Sequence, residues 1–280
     1  QEISTKYANA MLASPFRAEL EKEFGNHIFN LKELERKTFK PEIKDMLREE
    51  SDLCNRYTEL IASAKINFNG ETYNLTGLGP FHSDSDRDIR KESYKARFNF
   101  FEQNSEELDS IYDSLVKVRT KIAKALGYEN YVELGYNKLG RTDYNHEDVA
   151  NFRKQIVEHV VPVVSKLHNQ RKTILDLDHL YFYDSINFKE GDPKPKGSLD
   201  HLISEAQDMY RELSTETGDF FDMMVNEELM DLENRKGKRG GGFCTAFPMY
   251  ERPYIFANFN GTDHDVTVLT HEAGHAFQVY

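Results

Sequence analysis

The clearest hydrophobic period in the chain runs through Leu108, Ile111, Leu115, Val118, Ile122 and Ala125, which follow one another at alternating steps of three and four. Such spacing lines one side of a helix of 3.6 residues per turn, so it predicts a long amphipathic helix that Gly127 stops. Upstream, Ser4 to Ile66 carries a mixed-charge helical pattern broken at Ser14-Pro15 and Lys40-Pro41, with Ile43, Met46, Leu47, Leu53, Tyr57, Leu60 and Ile61 as a less regular stripe. The period then changes: Ile66 to Tyr73 places apolar residues on either side of Asn69-Gly70, which predicts a tight β-hairpin. Ser83 to Asp86 supplies the start of another helix. Further helices are predicted over His146 to Leu177, kinked or broken at Pro162, over Leu199 to Thr217, and over part of Phe220 to Leu232. Leu180 to Ser185 reads as a short strand or an aromatic helix end, and Lys189 to Ser198 as a loop.

After Leu232 the pattern shifts again. Arg235 to Gly242 is basic and glycine-rich, and two short aromatic runs follow, Phe243 to Phe247 and Arg252 to Phe259, which predict strands. Gly240 to Gly242 lack the Lys-Ser/Thr ending of a phosphate loop. Two readings stand: a flexible basic turn before a hairpin, or an open sheet edge whose backbone can pair with an extended peptide.

Composition narrows the class. The 280 residues are 39% hydrophobic and 12% aromatic, enough to build a core, and the formal charge of -12 argues against a nucleic-acid binder. Cys54 and Cys244 form no metal-like pair and suit a reducing, cytoplasmic setting. No apolar run approaches the roughly 18 residues of a membrane span, and no secretory signal is visible at the start. Because the first residue is Gln1, a processed chain or a fragment is expected.

The chemistry concentrates at His271-Glu272-Ala273-Gly274-His275. Two histidines four apart share one helical face, so their imidazoles can hold one metal ion, and zinc suits that donor pair. Glu272 points about 100° round the helix, where it can act as a general base on a metal-activated water. With only 10 histidines in the chain, such a match arises by chance well under once. The plainer reading is a surface helix with solvated histidines, but Val266, Leu269, Ala273, Ala276, Phe277 and Tyr280 predict a buried face beside them, and Asp263 and Asp265 suit the helix's positive end. His82, His146, His159, His168, His179 and His201 read as ordinary histidines and His264 as a loop histidine. Cys244 reads as a packing residue, since no Cys-His-Asn pattern accompanies it.

The stretches GKRGGGFCTAF, PYIFANFNGT and HDVTVLTHEAGHAFQ, between Gly237 and Gln278, closely resemble the oligoendopeptidase F branch of the M3 zinc metallopeptidases, and the similarity reaches upstream through Arg90–Arg97 and Ala125–Tyr131. The resemblance implies a mainly α, multi-helix zincin-type peptidase fold with a small β-sheet near the active site. It implies a helical lobe over 1–80 ending in the hairpin, and the first part of a catalytic domain over 81–280. His271 and His275 would bind one Zn2+, Glu272 would be the general base, and Gly241, Gly242 and Phe243 would lie on a substrate-pairing edge strand. The expected partners are short peptides, with no nucleic acid and no membrane. Many M3 members carry a third histidine at the position of Gln278, a minor departure. The family's third zinc ligand, a glutamate on a following helix, and its oxyanion-stabilising groups would fall beyond Tyr280, so a cut inside the catalytic domain and a missing C-terminal half are expected. The implied activity is a zinc endopeptidase; a helical zinc carboxypeptidase and a catalytically incomplete peptide-binding fragment are the alternatives.

Overall fold

The structure, a computed structural model, describes residues 2–280. It is mainly helical. The chain begins with α1 (Glu2–Leu12), α2 (Arg17–Phe24), α3 (His27–Lys37) and α4 (Lys44–Ala62), followed by the hairpin β1 (Ile66–Phe68) and β2 (Glu71–Tyr73). Next come α5 (Gly79–His82), α6 (Arg87–Gln103), α7 (Ser105–Ala125), α8 (Tyr131–Lys138), α9 (His146–Gln155) and α10 (Val161–Ile174). The last third holds α11 (Leu199–Leu213), α12 (Thr215–Asn226), β3 (Met230–Glu233), β4 (Phe243–Phe247), β5 (Arg252–Phe259) and α13 (His264–Val279). Two compact units emerge: residues up to 57 with 106–167, and residues 58–105 with 168–280.

In the first unit the periodic stripe of α7 does what its spacing dictates. Val118 and Ile122 are fully buried and pack with Ala123, Phe39, Ile43 and Leu134. Ala125 is exposed and Ala123 takes its place in the core, because a strict three-four alternation drifts off the face of a helix near its end. Pro162 does not break its helix. Ile156–Val160 form a π-helical turn, and the Val161 N–H reaches back to the Ile156 carbonyl. The hydrogen-bond ladder is therefore already shifted just before the residue that lacks a donor.

The second unit is built on a three-stranded sheet of order β3-β5-β4. β4 runs antiparallel and β3 parallel to the central β5. Pro253, Ile255 and Ala257 are the buried positions of β5; Ile255 and Ala257 pack with Leu269, Ala273 and Ala276 of α13, and Phe220, Phe221 and Met224 of α12 close the core. The sequence reading missed β3: Phe220 to Leu232 is the end of a helix and then a parallel strand. The helix expected to run to Thr217 stops at Leu213, because Ser214 caps α12 through the Thr217 N–H.

Leu180 to Ser185 is neither strand nor helix. The fully buried Asp184 folds it into a turn, accepting the Tyr181 N–H at 2.9 Å and pairing with Arg87 at 2.8 Å and Arg90 at 3.3 Å. Arg90, itself buried, also donates to the carbonyls of Asp84, Ser85 and Tyr183. Burial alone would raise the Asp184 carboxyl, but the arginines and the Tyr181 N–H hold it below the usual range. Removing one partner of such a pair costs about 3–5 kcal/mol, which fixes this segment against α6.

His82 gives the second unit a pH response. Its ring stacks on Tyr94 at 4.0 Å, its Nε2 is buried without a partner among the described residues, and burial together with the charge of Arg97 pulls its pKa from 6.5 down to about 4. Between those values the unfolded chain takes up a proton that the folded chain refuses, so stability falls as pH drops through that window and levels off below it. His82→Phe, which keeps the stack, is expected to flatten this part of the melting-temperature profile. A variant whose profile still matches the parent from pH 6.5 to 4 would refute the assignment.

Candidate active site

The site forms where β5 hands over to α13. Asp265, 4% exposed, reaches back from the first turn of α13 and accepts the N–H groups of Asn260 at 3.1 Å and Gly261 at 2.7 Å. Burial pushes its carboxyl up and these backbone donors pull against it. Asn260 donates to the Thr76 carbonyl at 2.9 Å, and a Cβ on Gly79 would sit 2.3 Å from the Asn260 amide, so Gly79 is glycine because the turn approaches so closely. Asp263 is the N-cap of α13 but makes no side-chain cap bond, and His264 opens the helix instead of lying in a loop.

Along α13 the helical pitch sets the chemistry. His271 and His275 are both exposed, their ring centroids are 4.7 Å apart, and their Nε2 atoms approach to 3.2 Å. Two nitrogens bound to one tetrahedral zinc at about 2.0–2.1 Å lie about 3.3 Å apart. The pair thus fits two ligand positions of one metal ion. Among the described residues no group of three or more His, Cys, Asp and Glu side chains is arranged to hold a metal.

Glu272 occupies the other side of the helix, together with Leu269, Ala273 and Ala276. The buried face is narrower than expected, since Val266, Phe277 and Tyr280 are 39–55% exposed. Glu272 is only 8% exposed and accepts no hydrogen bond from any other described residue. Its oxygens are not among the buried unpartnered atoms, so they stay open to solvent. A groove of about 470 Å³ runs past it, walled by Gly242–Ala246 on one side and Glu272, His275, Gln278 and Val279 on the other.

The facing wall is held rigidly. Lys238, 7% exposed, donates to the Asp231 carboxylate at 2.9 Å, the Asp231 carbonyl at 3.1 Å and the Glu233 carbonyl at 2.8 Å. Its ammonium also lies 4.4 Å from the centre of the Phe256 ring. Arg235 and then Lys238 hold the Asp231 carboxyl down at about 2, outweighing burial. The Asn258 amide donates to the carbonyls of Arg239 and Gly241, both at 2.8 Å. The basic glycine-rich stretch is therefore an anchored turn, not a flexible one. Gly241 takes φ +92°, which favours glycine, and leads into β4.

β4 is an edge strand, with Phe243 paired to Phe256 in register and stacked on it at 5.0 Å. A Cβ on Gly242 would lie 3.3 Å from Val268 Cγ1, 3.4 Å from the Phe256 carbonyl and 3.5 Å from Glu272 Oε1. The structure thus brings Gly242, Phe243, Glu272 and His275 to one groove, with His271 beside His275 and Gly241 in the turn just before. Cys244 also lines it; burial and then the nearby Glu272 raise its thiol pKa, the opposite of what a nucleophile needs. Sequence reasoning missed the anchoring by Lys238, Asn258 and Asp265, since each acts through a backbone carbonyl or amide that only folding brings near.

Comparison with known proteins places this arrangement. The model of peptidase family M3 matches residues 81–280, and that of the peptidase M3 N-terminal domain matches residues 1–39. An oligoendopeptidase F homolog of Borreliella burgdorferi is 26% identical over 244 residues, 82% of this chain and 38% of its own length. Group B oligopeptidase PepB of Streptococcus agalactiae is 25% identical over 218 residues, 75% of this chain and 34% of its own. Among solved structures, PZ peptidase A with an inhibitor superposes with a TM-score of 0.95 at 50% identity, over 98% of this chain and 49% of that one. A Bacillus anthracis structure assigned as oligoendopeptidase F gives 0.95 at 49% identity, over 99% of this chain and 51% of that one. The chain spans about a third of the curated relatives' length and about half of the solved ones. With one family model covering most of its residues and its fold matching these structures, the chain belongs to peptidase family M3, among relatives of oligoendopeptidase F.

Proposed function

We propose that the groove between β4 and α13 serves a zinc-dependent endopeptidase that hydrolyses short peptides. The observation that carries this reading is Glu272: a largely buried side chain whose carboxylate opens on a groove and has no hydrogen-bond partner among the described residues, next to two imidazoles at metal-sharing distance. His271 and His275 would hold the metal through Nε2, and a third protein ligand is required to complete the site. Zinc, when bound, supplies Lewis-acid polarisation of the scissile carbonyl. Glu272 takes a proton from the attacking water at its carboxylate and passes it to the departing amine nitrogen. The free edge of β4, from Gly241 through Gly242 and Phe243, offers backbone donors and acceptors that align an extended peptide, a pairing in which no side-chain sequence is demanded. The thiols of Cys54 and Cys244 favour a reducing cytoplasmic setting, and among the described residues no helix is long and apolar enough to cross a membrane.

A second reading, a peptide-binding fragment without turnover, is favoured by the lack of a third ligand among the described residues. The two readings separate on metal and cleavage measured together. The 280-residue chain alone is expected to lose zinc on dialysis, since two imidazoles hold the ion weakly. Tight equimolar zinc by elemental analysis would show that a third donor is already in place. An endopeptidase also cuts peptides amidated at the C-terminus, which a carboxypeptidase leaves intact.

Two substitutions test the assigned roles in a preparation that turns over. Glu272→Gln is expected to lower kcat by about 10³-fold or more with zinc content and KM retained, and unchanged cleavage would remove Glu272 as the base. Gly242→Ala presses on Val268 Cγ1 and brings a methyl into van der Waals contact with Glu272 Oε1. It is expected to reduce kcat about tenfold or more with a smaller change in KM, because a slight misplacement of a reacting group is enough. A drop confined to KM would mean that this glycine serves only substrate access.

A further inference from the structure

The first unit contains a cavity of about 760 Å³ between α3, α8 and the segment that enters α9. Its wall carries charges of both signs: Lys37, Glu133 and Glu147 are exposed and Arg141 is half-buried. Arg141 lies over the Tyr136 ring at 4.6 Å and the Tyr144 ring at 5.5 Å, so the guanidinium is held by two aromatic faces. Its side chain nevertheless makes no hydrogen bond or ion pair with any described residue. Lys37, from α3, is likewise without an ion-pair partner among the described residues. Two carboxylates on the same cavity, Glu133 and Glu147, also have neither an ion pair nor a hydrogen bond to their side chains among the described residues. Of the other acids on the wall, Glu33 pairs with Arg17 at 3.0 Å, Asp148 accepts the Asn145 N–H at 2.9 Å in a capping box, and Asp143 accepts the Thr142 hydroxyl at 2.8 Å. Two cations, Lys37 and Arg141, and five carboxylates, Glu33, Glu133, Asp143, Glu147 and Asp148, therefore line one cavity, and among the described residues neither cation is in an ion pair.

Side chains of opposite sign that remain apart on a common wall fit a ligand carrying both signs. A guanidinium stacked on rings keeps its planar fork pre-ordered for a carboxylate, which a lysine cannot match. The cavity volume lies within the range of small-molecule sites. We propose that this cavity binds a small zwitterion, an amino acid or the C-terminal end of a short peptide. Arg141 takes the α-carboxylate, Glu133 and Glu147 receive the ammonium, and the rings of Tyr136 and Tyr144 flank the apolar part. The inference does not rest on the peptidase reading, since it concerns binding in the first unit and involves neither Glu272 nor the histidine pair.

Titration calorimetry on the 280-residue chain tests it without any need for turnover. The probes are leucine, Ala-Leu, Ala-Leu amide and inorganic phosphate. Ala-Leu is expected to bind, and its amide at least tenfold more weakly, because the amide removes the charge that Arg141 reads. Leucine binding as well as Ala-Leu identifies a free amino acid as the source of the carboxylate; leucine binding much more weakly identifies a peptide terminus. Arg141→Lys, which keeps the charge and loses the fork, is expected to weaken Ala-Leu at least tenfold, and Arg141→Met to abolish binding with the circular dichroism spectrum unchanged. The proposal is overturned if the amide binds as well as the acid, if Arg141→Lys leaves affinity untouched, if phosphate competes as well as the peptide, or if no probe binds. Should Arg141→Met fail to fold, the acid-against-amide comparison on the parent chain decides alone.

Discussion

The arrangement around the histidine motif depends on one constraint: a carboxylate on the packed face of a helix must stay uncommitted and open to the groove. Glu272 meets it by sharing the face of α13 that packs on the sheet, while Gly242 leaves open the space in front of its Oε1. A Cβ at residue 242 would press on Val268 Cγ1 at 3.3 Å and come into ordinary contact with that oxygen at 3.5 Å. The Glu272 side chain is largely buried while its oxygens stay open to the groove. The imidazoles differ in this respect. They stand exposed one helical turn apart, and only the geometry of the helix brings their nitrogens to 3.2 Å.

Holding that space open requires rigidity on both sides, and the second unit supplies it with buried polar groups. Lys238 and Asn258 fasten the glycine turn through main-chain carbonyls, and Asp265 fastens the start of α13 through main-chain amides. Each satisfies backbone groups that a loop would otherwise leave to water. Asp184 does the same for the segment over α6. The glycine-rich turn and the start of α13 are thus tied to the sheet by hydrogen bonds on both sides of the groove. In the first unit the balance reverses: an apolar core holds α7 with α8, while Arg141, Lys37, Glu133 and Glu147 line their cavity without an ion pair among the described residues.

Local pattern determined a good deal. The stripe of α7, the Asn69-Gly70 hairpin, the two aromatic strands and the i, i+4 histidines were all legible, because each is a periodicity within one element. The same holds for the membership in peptidase family M3, whose motif residues are contiguous. Where the reading failed, the deciding contact lay elsewhere in the chain. β3 is a short strand that exists only because β5, far downstream, offers it a parallel partner. The segment around Asp184 looked like a strand or a helix end until two arginines of α6 gathered its carboxylate.

At the site itself the division is the same. Helical pitch alone decides that His271 and His275 face one way and Glu272 another, so the sequence contains that much. Whether Glu272 is buried, what opposes it, and whether the glycine-rich turn is loose or pinned depend on which surface α13 packs against and on which carbonyls come within reach of Lys238 and Asn258. Those are contacts between residues distant along the chain, made only when the sheet and helix close on each other, and no pattern of neighbouring residues encodes their distances.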